Sequence, residues 1–167
     1  MSKKIVFLAL LLAPAFAFAQ QSLKIGYINY QEIDQAMPEY TQMVDSLQKQ
    51  AAEYEEIINE YNKEIETKYT AFMEQRESLT ESLRLRRQQD IEELMQKLQN
   101  VQQTAQERQQ LLYNQMSQER QQKVAKIVQE IGAENNFSYV VDAQVMWYVS
   151  PNSTDVTPLV KQKLGLQ

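Results

Sequence analysis

The 167-residue chain carries 17 Lys and Arg against 22 Asp and Glu, for a net charge of −5, and it contains neither histidine nor cysteine. Those counts exclude an imidazole general base, a thiol nucleophile, a disulfide framework and the usual zinc ligand sets. They also argue against a general nucleic-acid binder, whose affinity comes from a basic face that displaces counterions.

At the N-terminus, Lys3 and Lys4 precede an apolar run from Ile5 to Phe18, and Ala17-Phe18-Ala19 follows the small-x-small pattern of a cleavage site. The run is short for a membrane span, so residues 1–19 read as a secretory signal peptide and the mature chain starts near Gln20. Without Lys3 and Lys4 the net charge becomes about −7, two units beyond the −5 of the full chain. The remainder is the length of a single domain. Only three glycines and four prolines punctuate the whole sequence, a composition suited to long helices with few turns.

Leu23 to Ile28 reads as a short strand. Asn29, with Glu32 three positions on, reads as the N-cap and capping-box partner of a helix over Tyr30 to Met37. Pro38 kinks or restarts that helix. Apolar residues then fall at Tyr40, Val44, Leu47, Ala51, Tyr54, Ile58, Tyr61 and Ile65, alternating steps of four and three as a heptad seam does. A second seam runs through Ile91, Leu94, Leu98, Val101, Ala105, Leu112, Met116, Val124, Ile127 and Ile131, with Arg108 and Glu119 interrupting it. After Gly132 to Asn136 the pattern becomes extended. Ser138 to Val141 and Val145 to Val149 read as two strands joined by a turn at Asp142 to Gln144. Thr157 reads as the cap of a last helix, with Pro158 at its first position and Gly165 just past Leu164.

Strands at both ends and about ninety helical residues between them create a geometric problem, because one straight rod would separate the strands by roughly 140 Å. Folding the helical block back on itself pairs the two seams and reunites the strands, which are barely stable alone. The reversal is expected between Glu77 and Gln89.

A signal segment, Lys24-Ile25-Gly26-Tyr27-Ile28-Asn29, a Met-Pro-Glu-Tyr step at 37–40, a long charged helical block, Val140-Val141-Asp142-Ala143 and an Asp155-Val156-Thr157 helix start occur here in order. That series resembles the Skp (OmpH-like) family of periplasmic outer-membrane-protein chaperones over essentially the whole mature chain. The resemblance implies a mainly α fold with a small β body: a long antiparallel helical hairpin, the coiled-coil arm (39–131), on a strand-built trimerisation platform (20–38 and 132–167). It also implies an ATP-independent holdase that keeps unfolded outer-membrane proteins in a cavity between the arms of a homotrimer, with no cofactor. By analogy Ile25, Tyr27, Val140, Val141, Val145 and Trp147 fall in the body strands that assemble the trimer. Skp is basic and this chain is acidic, so lipopolysaccharide binding is not carried over.

Several residues have two readings. Tyr54 and Tyr61 belong to the first seam by register. Met43, Met73 and Tyr113 lie off the seams, and adaptable Met and amphipathic Tyr suit contact with unfolded clients. Arg84, Arg86 and Arg87 form either a solvated hairpin tip or a weak contact with an anionic membrane surface. The glutamates from Glu53 to Glu66 read as a solvated helix face and not as paired catalytic carboxylates. Two other functions fit parts of the pattern: a structural coiled-coil adaptor of the cell envelope, and an amphipathic membrane-surface protein, which the acidic charge disfavours.

Overall fold

The computed structural model describes residues 23–166; the expected signal segment and its cleavage site lie outside these described residues. The chain folds as strand β1 (Ile25–Ile28), helix α1 (Tyr30–Ala36), helix α2 (Pro38–Gln75), helix α3 (Glu81–Glu134), strand β2 (Tyr139–Asp142), a 3-10 turn (Ala143–Val145), strand β3 (Thr154–Asp155) and helix α4 (Thr157–Leu164). Two compact units result. Among the described residues, one is formed by 23–33 together with 124–166 and is therefore discontinuous in sequence; the other is 34–123.

The first unit is organised by a three-stranded sheet in the order β2-β1-β3. Both pairings are parallel, with Gly26 opposite Val140 on one side and Thr154 on the other. Of the two expected C-terminal strands, the first forms as β2, one residue later than expected at each end, and the second is corrected. Val145 to Val149 is not a strand. Asp142 Oδ1 accepts from the Gln144 N–H at 3.1 Å and starts the 3-10 turn instead. Both edges of β1 are occupied, one by β2 and the other by β3, and residues 145–149 join none of these strands despite their β-prone composition. Ile33, Val156 and Val160 are fully enclosed, with Ile28, Val124 and Ile131 nearly so.

Local chemistry explains the element ends. Asn29 Oδ1 accepts from the Glu32 N–H at 3.2 Å, capping α1 as its sequence position suggests. Helix α1 ends at Ala36, and Pro38 opens α2, where its missing N–H costs nothing. Helix α3 continues through Gly132 and ends in a Schellman arrangement. Asn136 adopts a left-handed φ of 55°, while the Phe137 and Asn136 N–H groups donate to the Gly132 and Ala133 carbonyls. Thr157 does not cap α4 but is its first residue, following Val156. Its buried hydroxyl accepts from the Asn29 N–H at 2.9 Å, and the Asp155 carboxylate takes the Thr157 N–H at 2.9 Å. Gly165 closes α4 with φ 74°. Lys163 bridges Glu130 at 3.2 Å and Glu134 at 2.6 Å.

Gly26 lies on the middle strand, close against Phe137 and Val140. A Cβ there would lie 3.1 Å from the Phe137 ring and 3.4 Å from Val140 Cγ2. Gly26→Val is expected to lower stability by about 2 kcal/mol through overpacking, read as a lower thermal midpoint by circular dichroism. An unchanged midpoint would mean that Phe137 swings aside freely.

Candidate functional site

The second unit carries the residues expected to contact clients or a membrane surface. Helix α2 has 38 residues, and its first-seam residues are half-buried apart from the exposed Ala51. Ile91 and Leu94 of the second seam are buried, as is Phe72. The contacts between α2 and the following helix come in order: Glu39 with Lys123, Met43 with Ser117, Gln50 to Ile58 with Ala105 to Gln109 along one groove, and Gln75 with Arg87. The helix break at 76–80 overlaps the N-terminal end of the window expected for a reversal.

Full burial in this unit is concentrated at its two ends. Met37, Met43 and Arg120 are enclosed at one, and Phe72, Ile91 and Leu94 at the other. Arg120 is only 3% exposed. Its guanidinium donates to both Asp34 carboxylate oxygens, Nε at 2.7 Å and Nη2 at 3.4 Å. Further bonds reach Met43 Sδ and the Met116 carbonyl, each at 3.2 Å, and the Tyr40 ring centroid lies 5.5 Å away. Side chains from α1, α2 and α3 thus meet around one cation. Sequence reading placed irregularities at Arg108 and Glu119 and missed this residue. The signal was the unbroken i+4 row of Leu112, Met116, Arg120 and Val124.

Beside it, the Lys123 ammonium holds the Glu39 carboxyl below its usual value, helped by a backbone N–H and opposed by partial burial. A depressed folded-state value means that the pair's stabilisation is fully present above the ordinary 4.5 and is lost as pH falls through the lower folded value. Both groups are partly exposed, so the effect is small. Urea midpoints of the native protein and Lys123→Met are expected to differ at neutral pH and to converge under acid. Parallel curves would show that Lys123 gives Glu39 nothing.

The client-contact candidates divide. Met43 is corrected: it is 3% exposed and accepts from Arg120, so it packs the unit and offers no surface. Met73 and Tyr113 are exposed, and so are Tyr69, Leu83, Leu85, Met95 and Leu111. Arg84 and Arg87 are half-buried and engaged. Arg84 donates to the Leu79 carbonyl and pairs with Glu81 at 3.7 Å, while Arg87 donates to Gln75 Oε1 at 2.8 Å. Arg86 is exposed on the first turns of α3.

In the first unit Ile25, Tyr27, Val140 and Val141 occupy β1 and β2 and are half-buried. Val145 and Trp147 lie beyond β2 and are exposed, Trp147 fully, with Tyr148 and Tyr139 exposed as well. Among the described residues, no group of three or more acidic side chains converges to hold a metal. No described helix is long and apolar enough to cross a membrane.

Comparison with known proteins was consistent with this architecture. The profile of the family "Outer membrane protein (OmpH-like)" matches residues 24–164. The fold is similar to a solved structure from Caulobacter crescentus CB15, described as a proposed outer membrane chaperone (OmpH-like), with a TM-score of 0.72 at 10% identity over 84% of this chain and 82% of that one. No match to a curated protein was found.

Proposed function

The chain belongs to the OmpH-like outer membrane protein family, and from that premise we propose that it is an ATP-independent holdase chaperone for unfolded outer-membrane proteins. In this reading residues 1–19 direct export to the periplasm and are removed. Helices α2 and α3 pair as an antiparallel coiled-coil arm, a pairing supported by the ordered contacts from Glu39–Lys123 to Gln75–Arg87. Three chains assemble through Ile25, Tyr27, Val140, Val141, Val145 and Trp147, leaving a shielded space between their arms.

One observation carries the proposal. Large apolar side chains, Tyr69, Met73, Leu85, Met95, Leu111 and Tyr113 among them, stay exposed on the long helices. A single such side chain is ordinary on a protein surface. A series along two helices offers many weak apolar contacts, and multivalency turns weak contacts into firm retention. Binding the unfolded client then draws it away from aggregation by mass action, with no nucleotide required.

The test is dilution of a urea-unfolded outer-membrane barrel protein into buffer with and without the purified chain, followed by light scattering. Suppressed scattering is expected at near-stoichiometric amounts. Unimpeded aggregation, together with capture of one folded partner, would replace the holdase reading with an envelope adaptor. Contact of Arg84, Arg86 and Arg87 with anionic bilayers is a separable part of the proposal. Replacing all three by Gln should weaken liposome association by about tenfold at low salt and flatten its salt dependence; an unchanged salt curve removes that contact.

A further inference from the structure

Midway along the second unit, α2 and α3 leave an open groove lined by Gln50, Ala51, Tyr54, Ile58, Ala105 and Gln109, with Glu55 and Gln106 at its margin. Ala51 and Ala105 are the smallest residues of their respective seams, and they meet in the same place, so the seam has a gap. The gap is not a dry packing defect. Gln50, one of the lining residues, keeps its Oε1 buried without a hydrogen-bond partner, an arrangement that costs stability and favours turning the amide toward a donor in the groove. The lining holds one carboxylate, Glu55, and no cation. Beside it in sequence the exposed acids Glu53, Glu56 and Glu107 outnumber the exposed cations Lys49 and Arg108, so the surroundings are acidic on balance.

We propose that this groove binds an extended polypeptide segment in which an apolar side chain neighbours a lysine or arginine. The apolar side chain fills the gap over Ala51, Ala105, Tyr54 and Ile58. The Gln50 amide turns to accept a backbone N–H of the segment, and the basic side chain pairs with Glu55. Acidic segments are turned away by the same carboxylates. The inference rests on the holdase reading and deepens it: this acidic arm selects basic-apolar stretches of its clients.

The experiment measures fluorescence anisotropy of two labelled twelve-residue peptides against the full-length exported protein, one alternating Leu with Lys and the other Leu with Glu. The Lys peptide is expected to bind at least about tenfold more tightly than the Glu peptide. Glu55→Gln should weaken the Lys peptide about fivefold and reduce its salt dependence. Ala105→Leu fills the gap and should weaken both peptides; if that variant loses helicity, Gln50→Leu takes its place and should weaken binding without loss of helix. Equal affinity for the two peptides, or binding indifferent to Glu55→Gln and to groove filling, overturns the proposal. Binding of acyl-chain micelles in preference to either peptide overturns it as well. Aggregation assays on the same proteins separate the two readings. A native chain that suppresses aggregation while the variants bind the Lys peptide normally sinks only the groove, whereas a native chain that suppresses nothing sinks the chaperone function itself.

Discussion

Arg120→Met is expected to remove about 3 kcal/mol from the stability of the helical unit, the cost of breaking one side of a buried ion pair. The side chain is enclosed, and Met fills a similar volume, so the loss is electrostatic and not a cavity effect. Asp34, itself only 15% exposed, would lose the guanidinium that spans both of its oxygens. Met43 Sδ and the Met116 carbonyl lose a donor at the same time. Combining Arg120→Met with Asp34→Leu should recover most of the loss, because apolar replacement of a whole buried pair is close to neutral. Urea unfolding followed by helical ellipticity measures both. A single variant as stable as the native chain, or a double variant no better than the single one, would show that the pair is not what holds this end of the unit.

Introducing charge at Val145 and Trp147 is expected to convert the proposed trimer to monomer. Trp147 is 105% exposed and Val145 75% exposed in the single chain, on a segment that has β-prone composition but no strand partner. Aromatic residues of this size dominate interface energetics when covered. A carboxylate placed in such a contact costs several kcal/mol in each subunit. Sedimentation of the Val145→Glu, Trp147→Glu protein should give the mass of one chain with helicity retained. Suppression of client aggregation should fall with it, since one arm lacks the multivalency of three. A charged variant that still sediments as a trimer would place the assembly surface elsewhere.

Much of the local architecture was legible in the residues. Alternating four- and three-residue steps locate the face of α2 that packs, and Asn29, Pro38 and Gly165 mark element ends through backbone chemistry that does not depend on tertiary context. Two things were not legible, for different reasons. Val145 to Val149 has strand composition, but composition does not register that Asp142 starts a 3-10 turn just before it and that Thr154–Asp155 pairs with β1 instead. Arg120 reads as a surface charge because burying a cation is justified only by partners distant in sequence, Asp34 lying 86 residues away. Met43 was misread with it, as one of those partners. The exposed residues Met73 and Tyr113 were identifiable as off-seam positions, whereas the Ala51–Ala105 gap needed the pairing of the two helices to become visible.

The parallel sheet also dictates an order of assembly. Strand β1 is made first, yet its ladder partners begin at Tyr139 and Thr154, after more than a hundred residues have followed it. Helical turns close locally and quickly, while a parallel pairing across so long a stretch is entropically slow. A nascent chain emerging N-terminus first would therefore carry formed helices and an orphan first strand until Tyr139–Asp142 and Thr154–Asp155 arrive. Stopping synthesis just before Tyr139 should leave helical ellipticity largely intact but deny Ile25–Ile28 any sheet to enter.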